Sequence, residues 1–168
     1  CLLKISNSVR MSINIKQLYK EVYQYLNPLI ISQDFSISII IDANHVEKYN
    51  FCGSKQTYHK KKTIKKSLIQ STIENKKALI YGYEEIEYLK EKNKINKTIK
   101  TPNSYMVSPL IISNEIIGTI SMKSFDKEIT YNDEQVKILE FISNQIAIAI
   151  DKVKSVEEMR FLAYYDKL

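Results

Sequence analysis

Residues 104–125, SYMVSPLIISNEIIGTISMKSF, constrain the fold of this chain more than any other stretch. β-Branched and aromatic residues dominate from Tyr105 to Ile112 and from Ile116 to Met122, which favours two extended segments. Ser113 and Asn114 lie between them, and Asn tolerates the positive φ of a tight turn. We therefore predict a β-hairpin around which the rest of the chain packs.

The two faces of the second predicted strand differ in polarity, because strand side chains alternate. One face would carry Ile116, Gly118, Ile120 and Met122, and the other would carry Ile117, Thr119, Ser121 and Lys123. A glycine inside a strand often marks the close approach of another element, so we expect a helix to pack at Gly118.

The run SPLIISNEIIGTISMKS, followed by ITYNDEQVKILEFISNQIAIAI, resembles the second half of a GAF domain. The resemblance implies an α+β sandwich with a central antiparallel sheet. It places the N- and C-terminal helices on one face and a small-molecule pocket on the other. It also implies a regulatory, ligand-sensing role, with a ligand-free dimerisation module in a sensor kinase or cyclic-di-GMP enzyme as the alternative. It names neither a ligand nor a cofactor.

The 168 residues divide by pattern into three parts. We predict an entering helix over residues 1–13, a sensor domain over 14–150, and a signalling helix over 151–168 that leads to an output domain outside this sequence. Further predicted elements are a helix along Ile15–Leu26, strands at Phe35–Asp42, Val46–Cys52 and Ala78–Tyr81, a helix with Ile64, Leu68, Thr72 and Ile73 on its buried face, a short helix at Tyr83–Glu91, and a long final helix from Asn132 or Asp133.

Lysines dominate the charge pattern and give a formal net charge of +6. Only Arg10 and Arg160 accompany them, whereas a nucleic-acid surface would favour arginine and interleaved aromatic residues. We therefore expect no nucleic-acid partner. A solvated lysine surface, with Ser54–Thr63 as a lysine-rich loop, and attraction of an anionic ligand both remain open.

No catalytic or metal-binding motif is present in the sequence, so we expect this chain not to be an enzyme. The region from Gly82 to Asn103 is predicted to be either a lid over the pocket or a disordered surface insertion. The candidate ligand-binding residues under it are Tyr81, Tyr83, Tyr105, Ser108, Thr119 and Ser121.

Lys123, Asp133 and Glu134 match part of a motif found in cyclic-nucleotide-binding GAF domains. Met122 and Ile129 replace two other residues of that motif, so cyclic nucleotide binding is not expected. We predict instead a structural ion pair between Lys123 and Asp133 that fastens the final helix to the sheet.

The final helix carries apolar residues at spacings of three and four, as in a coiled coil. Ile146, Ala149, Val153 and Val156 form the predicted seam of a parallel homodimer. The closing residues EEMRFLAYYDKL resemble the lead-in to GGDEF diguanylate cyclase domains at Leu162, Ala163, Asp166 and Leu168, which implies a cyclase as the output domain. No stretch is long and apolar enough to span a membrane, so we expect a cytoplasmic fragment without membrane contact.

Overall fold

The computed structural model describes residues 14–32 and 34–166. The entering helix predicted over residues 1–13 lies outside them. The elements in chain order are α1 (Ile15–Leu26), β1 (Asp34–Ile40), β2 (His45–Cys52), β3 (Lys55–Thr63), α2 (Gln70–Asn75), β4 (Leu79–Gly82), α3 (Tyr83–Glu91), β5 (Ser104–Ile112), β6 (Glu115–Ser124) and α4 (Asp133–Asp166). Asn14 caps α1, since its Oδ1 accepts hydrogen bonds from the backbone N–H groups of Lys16 and Gln17 at 2.9 and 3.3 Å.

Six strands form one antiparallel sheet in the order β3-β2-β1-β6-β5-β4. The predicted hairpin is its centre: β5 and β6 pair from Ser104 with Ser124 to Ile112 with Glu115. Ser113 and Asn114 turn the chain with φ of 50° and 65°. Two successive positive φ values are typical of the hairpin turn that matches strand twist.

The main core lies between one face of the sheet, here called the helix face, and helices α1 and α4. Phe35 and Ile37 of β1, Met106 of β5 and Met122 of β6 are fully buried there. From the helices, the core receives Leu18, Tyr19, Val22, Leu26, Leu139, Ile142 and Ile146. The predicted fold class, with both helices on one face of an antiparallel sheet, is confirmed.

The opposite face, here called the cavity face, carries a smaller apolar cluster and a row of polar side chains. Val46, Ile64, Ile69, Ile86, Tyr105 and Val107 form that cluster. Alternation along β1 explains the polar row, because Ser36 and Ser38 occupy the positions between Phe35, Ile37 and Ile39. The sheet thus has one closed apolar face and one face with room for polar groups.

The segment Ser54–Thr63, predicted as a loop, is instead the edge strand β3. It pairs with β2 from Cys52 with Lys55 to His45 with Thr63, and all its residues are exposed. Gly53, with φ of 58°, makes the turn between the two strands. Lysines on an exposed edge strand hinder pairing with other chains, so the lysine run is compatible with a strand.

Gly118 is approached closely by a strand and not, as predicted, by a helix. A Cβ at this position would lie 2.2 Å from the carbonyl oxygen of Ser38 and 3.2 Å from the Cα of Ile39, both in β1. The pairing of β5 with β6 also shifts register next to Gly118. As a result Ile117 packs against the main core, although simple alternation predicted it on the face of Thr119.

The helix predicted around Ile64, Leu68, Thr72 and Ile73 is shorter than expected. Only Gln70–Asn75 is helical, because Lys66 adopts a left-handed φ of 61° and residues 65–69 form turns. Ile64 and Ile69 are nevertheless buried, and they anchor these turns against the cavity face.

Helix α4 has 34 residues and packs mainly across β5. Ile146, Ala149 and Val153 are 0%, 5% and 6% exposed, since they belong to the core of their own domain. They are therefore not available to form the predicted dimer seam, and of the four seam residues only Val156 is exposed. Every residue from Lys154 to Asp166 is exposed, so the last turns of α4 extend beyond the sheet.

Candidate functional site

A cavity of about 910 Å³ lies on the cavity face of the sheet. Its floor is formed by Ser36 and Ser38 of β1, Lys48 of β2, Tyr105 of β5, and Ser121 and Lys123 of β6. Antiparallel register brings these side chains together, because Ser38 pairs with Lys48 and Ser36 pairs with Ser121. Small serines in the middle strand leave the space that larger side chains would fill.

Two segments, here called the rim loops, border this floor: residues 64–69 and residues 92–103. The backbone N–H of Asn96 donates to the carbonyl of Lys66 at 2.9 Å, and Lys66 Nζ donates to Asn93 Oδ1 at 3.1 Å. The N–H of Lys66 also donates to Gln70 Oε1 at 2.8 Å. These bonds fix Lys66 in its left-handed conformation and join the two rim loops beside the cavity.

The second rim loop is also tied to helix α3. Lys90 Nζ donates to the carbonyl of Ile99 and to Thr101 Oγ1, both at 2.5 Å. Thr101 Oγ1 in turn donates to Glu87, which forms an ion pair with Lys90 at 3.3 Å. The region from Gly82 to Asn103 is thus tied together by side-chain contacts, and five of its residues line the cavity: Asn93, Asn96, Lys97, Ile99 and Lys100. This favours the lid over the disordered insertion.

Positive charge dominates the cavity. Its lining includes seven lysines and one carboxylate, that of Asp34; the lysines are Lys48, Lys62, Lys65, Lys66, Lys97, Lys100 and Lys123. Lys123 Nζ lies 3.5 Å from Asp34 Oδ2, and both side chains are largely buried. Asp34 therefore replaces Asp133 as the ion-pair partner of Lys123, which corrects the prediction; Asp133 lies at the start of α4.

Lys48 is the most perturbed of these lysines. Burial lowers the pKa of its ammonium group, and the charges of Lys123 and Lys62 lower it further, against an opposing effect of Asp34. A lowered lysine pKa means that the charged form is disfavoured where it lies. The cavity therefore holds a positive charge that the protein compensates only in part.

Aromatic groups stand at two places along the lining. Phe125 has the ammonium groups of Lys100 and Lys123 over its ring, at 4.4 and 5.7 Å from the centroid. Tyr105 stacks on Tyr81 with centroids 6.2 Å apart, and burial raises the pKa of Tyr105 well above its ordinary value. Phe125 thus holds two of the lysines in position through cation–π contacts.

Two of the six candidate ligand-binding residues, Tyr105 and Ser121, line the cavity. Tyr81 lies behind Tyr105 and is not part of the lining. Thr119 is buried on the same face, and no hydrogen-bond partner for its Oγ1 is found in the described part of the chain.

The remaining two candidates are not at the cavity. Ser108 pairs with Ile120 and alternates with Met106 and Leu110, so it lies on the helix face. Tyr83 begins α3 and is 46% exposed. The structure therefore places Ser108 and Tyr83 outside the cavity lining.

Apart from Lys123, which was predicted as one half of an ion pair, none of the lining lysines was predicted individually from the sequence. They come from β2, β3, β6 and both rim loops, so nothing in their spacing along the chain marks them as one group. One signal was present: Lys48 occupies the same face of β2 as Val46 and Asn50, next to the serine face of β1. That signal requires the strand pairing to be known.

The described residues hold no group of three or more histidine, cysteine, aspartate or glutamate side chains placed to bind a metal ion. None of the helices in residues 14–32 and 34–166 is both long and apolar enough to cross a membrane.

An antiparallel sheet with helices on one face and a polar cavity on the other defines an α+β sandwich domain. A family model described as GAF domain matches residues 12–151. The chain therefore belongs to the GAF family of regulatory domains.

Solved structures share this fold at low sequence identity. The GAF domain of an Acinetobacter phosphoenolpyruvate-protein phosphotransferase is 11% identical, with a TM-score of 0.74 over 92% of this chain and 93% of that one. The GAF domain of a Bacillus halodurans two-component sensor histidine kinase is 14% identical, with a TM-score of 0.67 over 87% and 99%. A Neisseria meningitidis free methionine-R-sulfoxide reductase, solved with its substrate, is 9% identical, with a TM-score of 0.71 over 90% and 87%. No curated protein matches the chain.

Proposed function

We propose that this chain is the small-molecule-sensing domain of a signalling protein and that its ligand binds in the cavity between the sheet and the rim loops. The single observation that carries the proposal is the cavity itself, about 910 Å³ in volume with a floor of small polar side chains. This volume is within the range of ligand pockets, roughly 300–1,000 Å³. A structural module has no need to keep such a space beside its core.

Helix α4 is the route from ligand to output in this proposal. It packs across β5, whose opposite face carries Tyr105 at the cavity, and it continues past the sheet after Val153. Residues 151–168 would then act as the signalling helix. The resemblance of Leu162, Ala163, Asp166 and Leu168 to the lead-in of GGDEF domains supports a diguanylate cyclase as the regulated partner in cis, in a cytoplasmic protein.

The test of ligand sensing is a thermal-shift screen of the purified domain against neutral, cationic and anionic metabolites. A ligand that binds only the folded state raises the melting temperature. It should also protect the second rim loop, residues 92–103, from proteolysis. If no compound in a broad library shifts the melting temperature, the sensing proposal fails.

Cyclase control is tested separately, by measuring cyclic-di-GMP synthesis by the full-length protein with and without the ligand.

A second candidate function, dimerisation without a ligand, is favoured by the exposed side of α4. Ile148, Met159 and Leu162 are 58%, 70% and 62% exposed, and they recur at heptad-compatible positions with Ile138 and Phe141. This stripe replaces the predicted seam as the surface for a parallel homodimer. Sedimentation of the wild type and of an Ile148→Glu, Leu162→Glu variant tests this surface. A wild type that is monomeric at tens of micromolar would exclude a stable dimer, since a dissociation constant of ~10⁻⁵ M corresponds to about 7 kcal/mol of association free energy.

A further inference from the structure

We infer that the ligand is a small organic anion with two or more negative charges, phosphate or carboxylate, held between Lys48 and Lys123 on the floor of the cavity and the lysines of its rim. This inference rests on the proposed function, because it names the ligand class of the same cavity. Four observations support it.

The first observation is the position of the two floor lysines. Lys48 and Lys123 lie in β2 and β6, the strands on either side of β1, and both project toward the cavity past the small serines of β1. Lys48 lies opposite Ser38 and Lys123 opposite Asp34, so at about 4.8 Å between strands and about 3.4 Å of rise per residue their backbones are roughly 17 Å apart. Two lysine side chains can close most of that distance onto one anionic group above Ser36 and Ser38.

The second observation is the excess of positive charge. Among the described residues, seven lysines line the cavity against the one carboxylate of Asp34, which already faces Lys123 at 3.5 Å. In contrast to Lys123, which has Asp34 at its side, Lys48 is partly buried and its ammonium group is repelled by the charges of Lys123 and Lys62. Lysines on a solvated surface avoid this repulsion by pointing apart into water. Here they converge on one concave space, where an anion would relieve the repulsion.

The third observation is the arrangement by depth. Lys48, Lys66 and Lys123 are partly buried, whereas Lys62, Lys65, Lys97 and Lys100 are exposed at the rim. Charged groups at both depths suit a ligand with separated anionic groups, one bound at the floor and another at the rim. Lysine ammonium groups and serine hydroxyls both donate hydrogen bonds, which phosphate and carboxylate oxygens accept.

The fourth observation separates a small ligand from a nucleic acid. Single-stranded nucleic acids bind along open grooves in which bases stack on aromatic rings. Among the described residues the lining has two aromatic rings, and both already have partners: Tyr105 stacks on Tyr81, and the ammonium groups of Lys100 and Lys123 lie over Phe125. The lysines also surround a bounded volume instead of following a continuous track.

The test measures the affinity of the domain for two probes, pyrophosphate and citrate, by titrating each probe into the protein. A titration with sodium chloride at matched ionic strength is the reference. The proteins are the wild type, Lys48→Met, and Lys137→Met as a matched control. Lys137 is exposed on α4, on the other side of the sheet, so its replacement removes the same charge without touching the cavity.

We expect at least one probe to bind the wild type and Lys137→Met within about twofold of each other, and Lys48→Met to bind about tenfold or more weakly, as for loss of a charge-assisted hydrogen bond. Stronger binding of pyrophosphate than of citrate would identify phosphate as the anionic group, and the reverse would identify carboxylate. The melting temperature of unliganded Lys48→Met shows that weaker binding is not due to unfolding.

Three results would overturn the inference. Equal losses in Lys48→Met and Lys137→Met would mean that binding reflects net charge alone. Tighter binding of a short single-stranded oligonucleotide than of either probe, unaffected by Lys48→Met, would mean that the lysines form a nucleic-acid surface. If neither probe binds while a neutral or cationic metabolite raises the melting temperature, the ligand class is wrong but the sensing function stands.

Discussion

Replacement of Gly118 by alanine should destabilise the domain far more than one added methyl group suggests. The added Cβ would lie 2.2 Å from the carbonyl oxygen of Ser38 and 3.2 Å from the Cα of Ile39. Close C···O contacts in proteins are about 3.3–3.6 Å, so β1 and β6 must separate by roughly 1 Å. Both atoms belong to backbone in the middle of the sheet, where no side chain can rotate away.

The expected magnitude follows from two effects. Separation of the strands weakens about two hydrogen bonds of the β1–β6 ladder, at about 1 kcal/mol each. Overpacking of the surrounding core adds about 1–3 kcal/mol. A total of about 3–5 kcal/mol corresponds to a fall in melting temperature of roughly 6–20 °C for a domain of this size, at about 2–4 °C for each kcal/mol.

The matched control is Gly82→Ala. A Cβ at Gly82 would have nothing within 4 Å, and the residue has an ordinary φ of −88° at the start of α3. Alanine is a poorer N-cap than glycine but restricts the unfolded chain, so the two effects, each up to about 1 kcal/mol, offset one another. Differential scanning calorimetry of both variants decides the matter. Melting temperatures that agree within the error would refute the account of close packing at Gly118.

Three further predictions follow from buried groups. Lys48→Met should raise the melting temperature of the unliganded protein. In the wild type, the free energy of unfolding should rise as the pH approaches 10.5, the ordinary lysine value, because the lowered pKa of Lys48 lets this group lose its unfavourable charge at a lower pH than in the unfolded chain. The variant should lack this rise. Ile146→Ala should lower the free energy of unfolding by about 2–5 kcal/mol in urea denaturation, whereas a residue in a dimer seam would mainly change the sedimentation behaviour. Burial raises the pKa of Tyr49 and Tyr131 to about 12, so the free energy of unfolding should fall above pH 10, the ordinary tyrosine value. A melting temperature that stays constant above pH 10 would contradict this prediction.

Local chemistry was enough to predict the hairpin and the bounds of α1 and α3. Turn residues and β-branched runs act within a few positions, so the roles of Ser113 and Asn114 can be predicted from the sequence. The edge strand β3 has no such signal, since its residues are all exposed and mostly polar. It is a strand because β2 offers it a hydrogen-bonding edge, which is a property of the fold and not of residues 55–63.

Periodicity along α4 was detected correctly but assigned to the wrong partner. A helix packed on its own sheet and a helix packed on a second chain show the same spacing of three and four. Ile146 and Val153 satisfy that spacing through their own domain. The shared site of the cavity lysines was missed for a related reason, because Lys48 and Lys123 line one cavity only when β1 has paired with both of their strands.

Only the sheet separates the cavity from helix α4, so the proposed relay needs few intermediate contacts. Tyr105 and Met106 are neighbours in β5, yet the first faces the cavity and the second faces the core of α4. A ligand that shifts β5 therefore acts on the helix through a single layer of backbone, without a longer chain of contacts. Helix α4 loses contact with the sheet after Val153, and 13 exposed residues, about 20 Å of helix, follow it. A small tilt where the helix is held becomes a larger displacement at its far end, and the ligand need only bind one tilt more tightly than the other to bias the output.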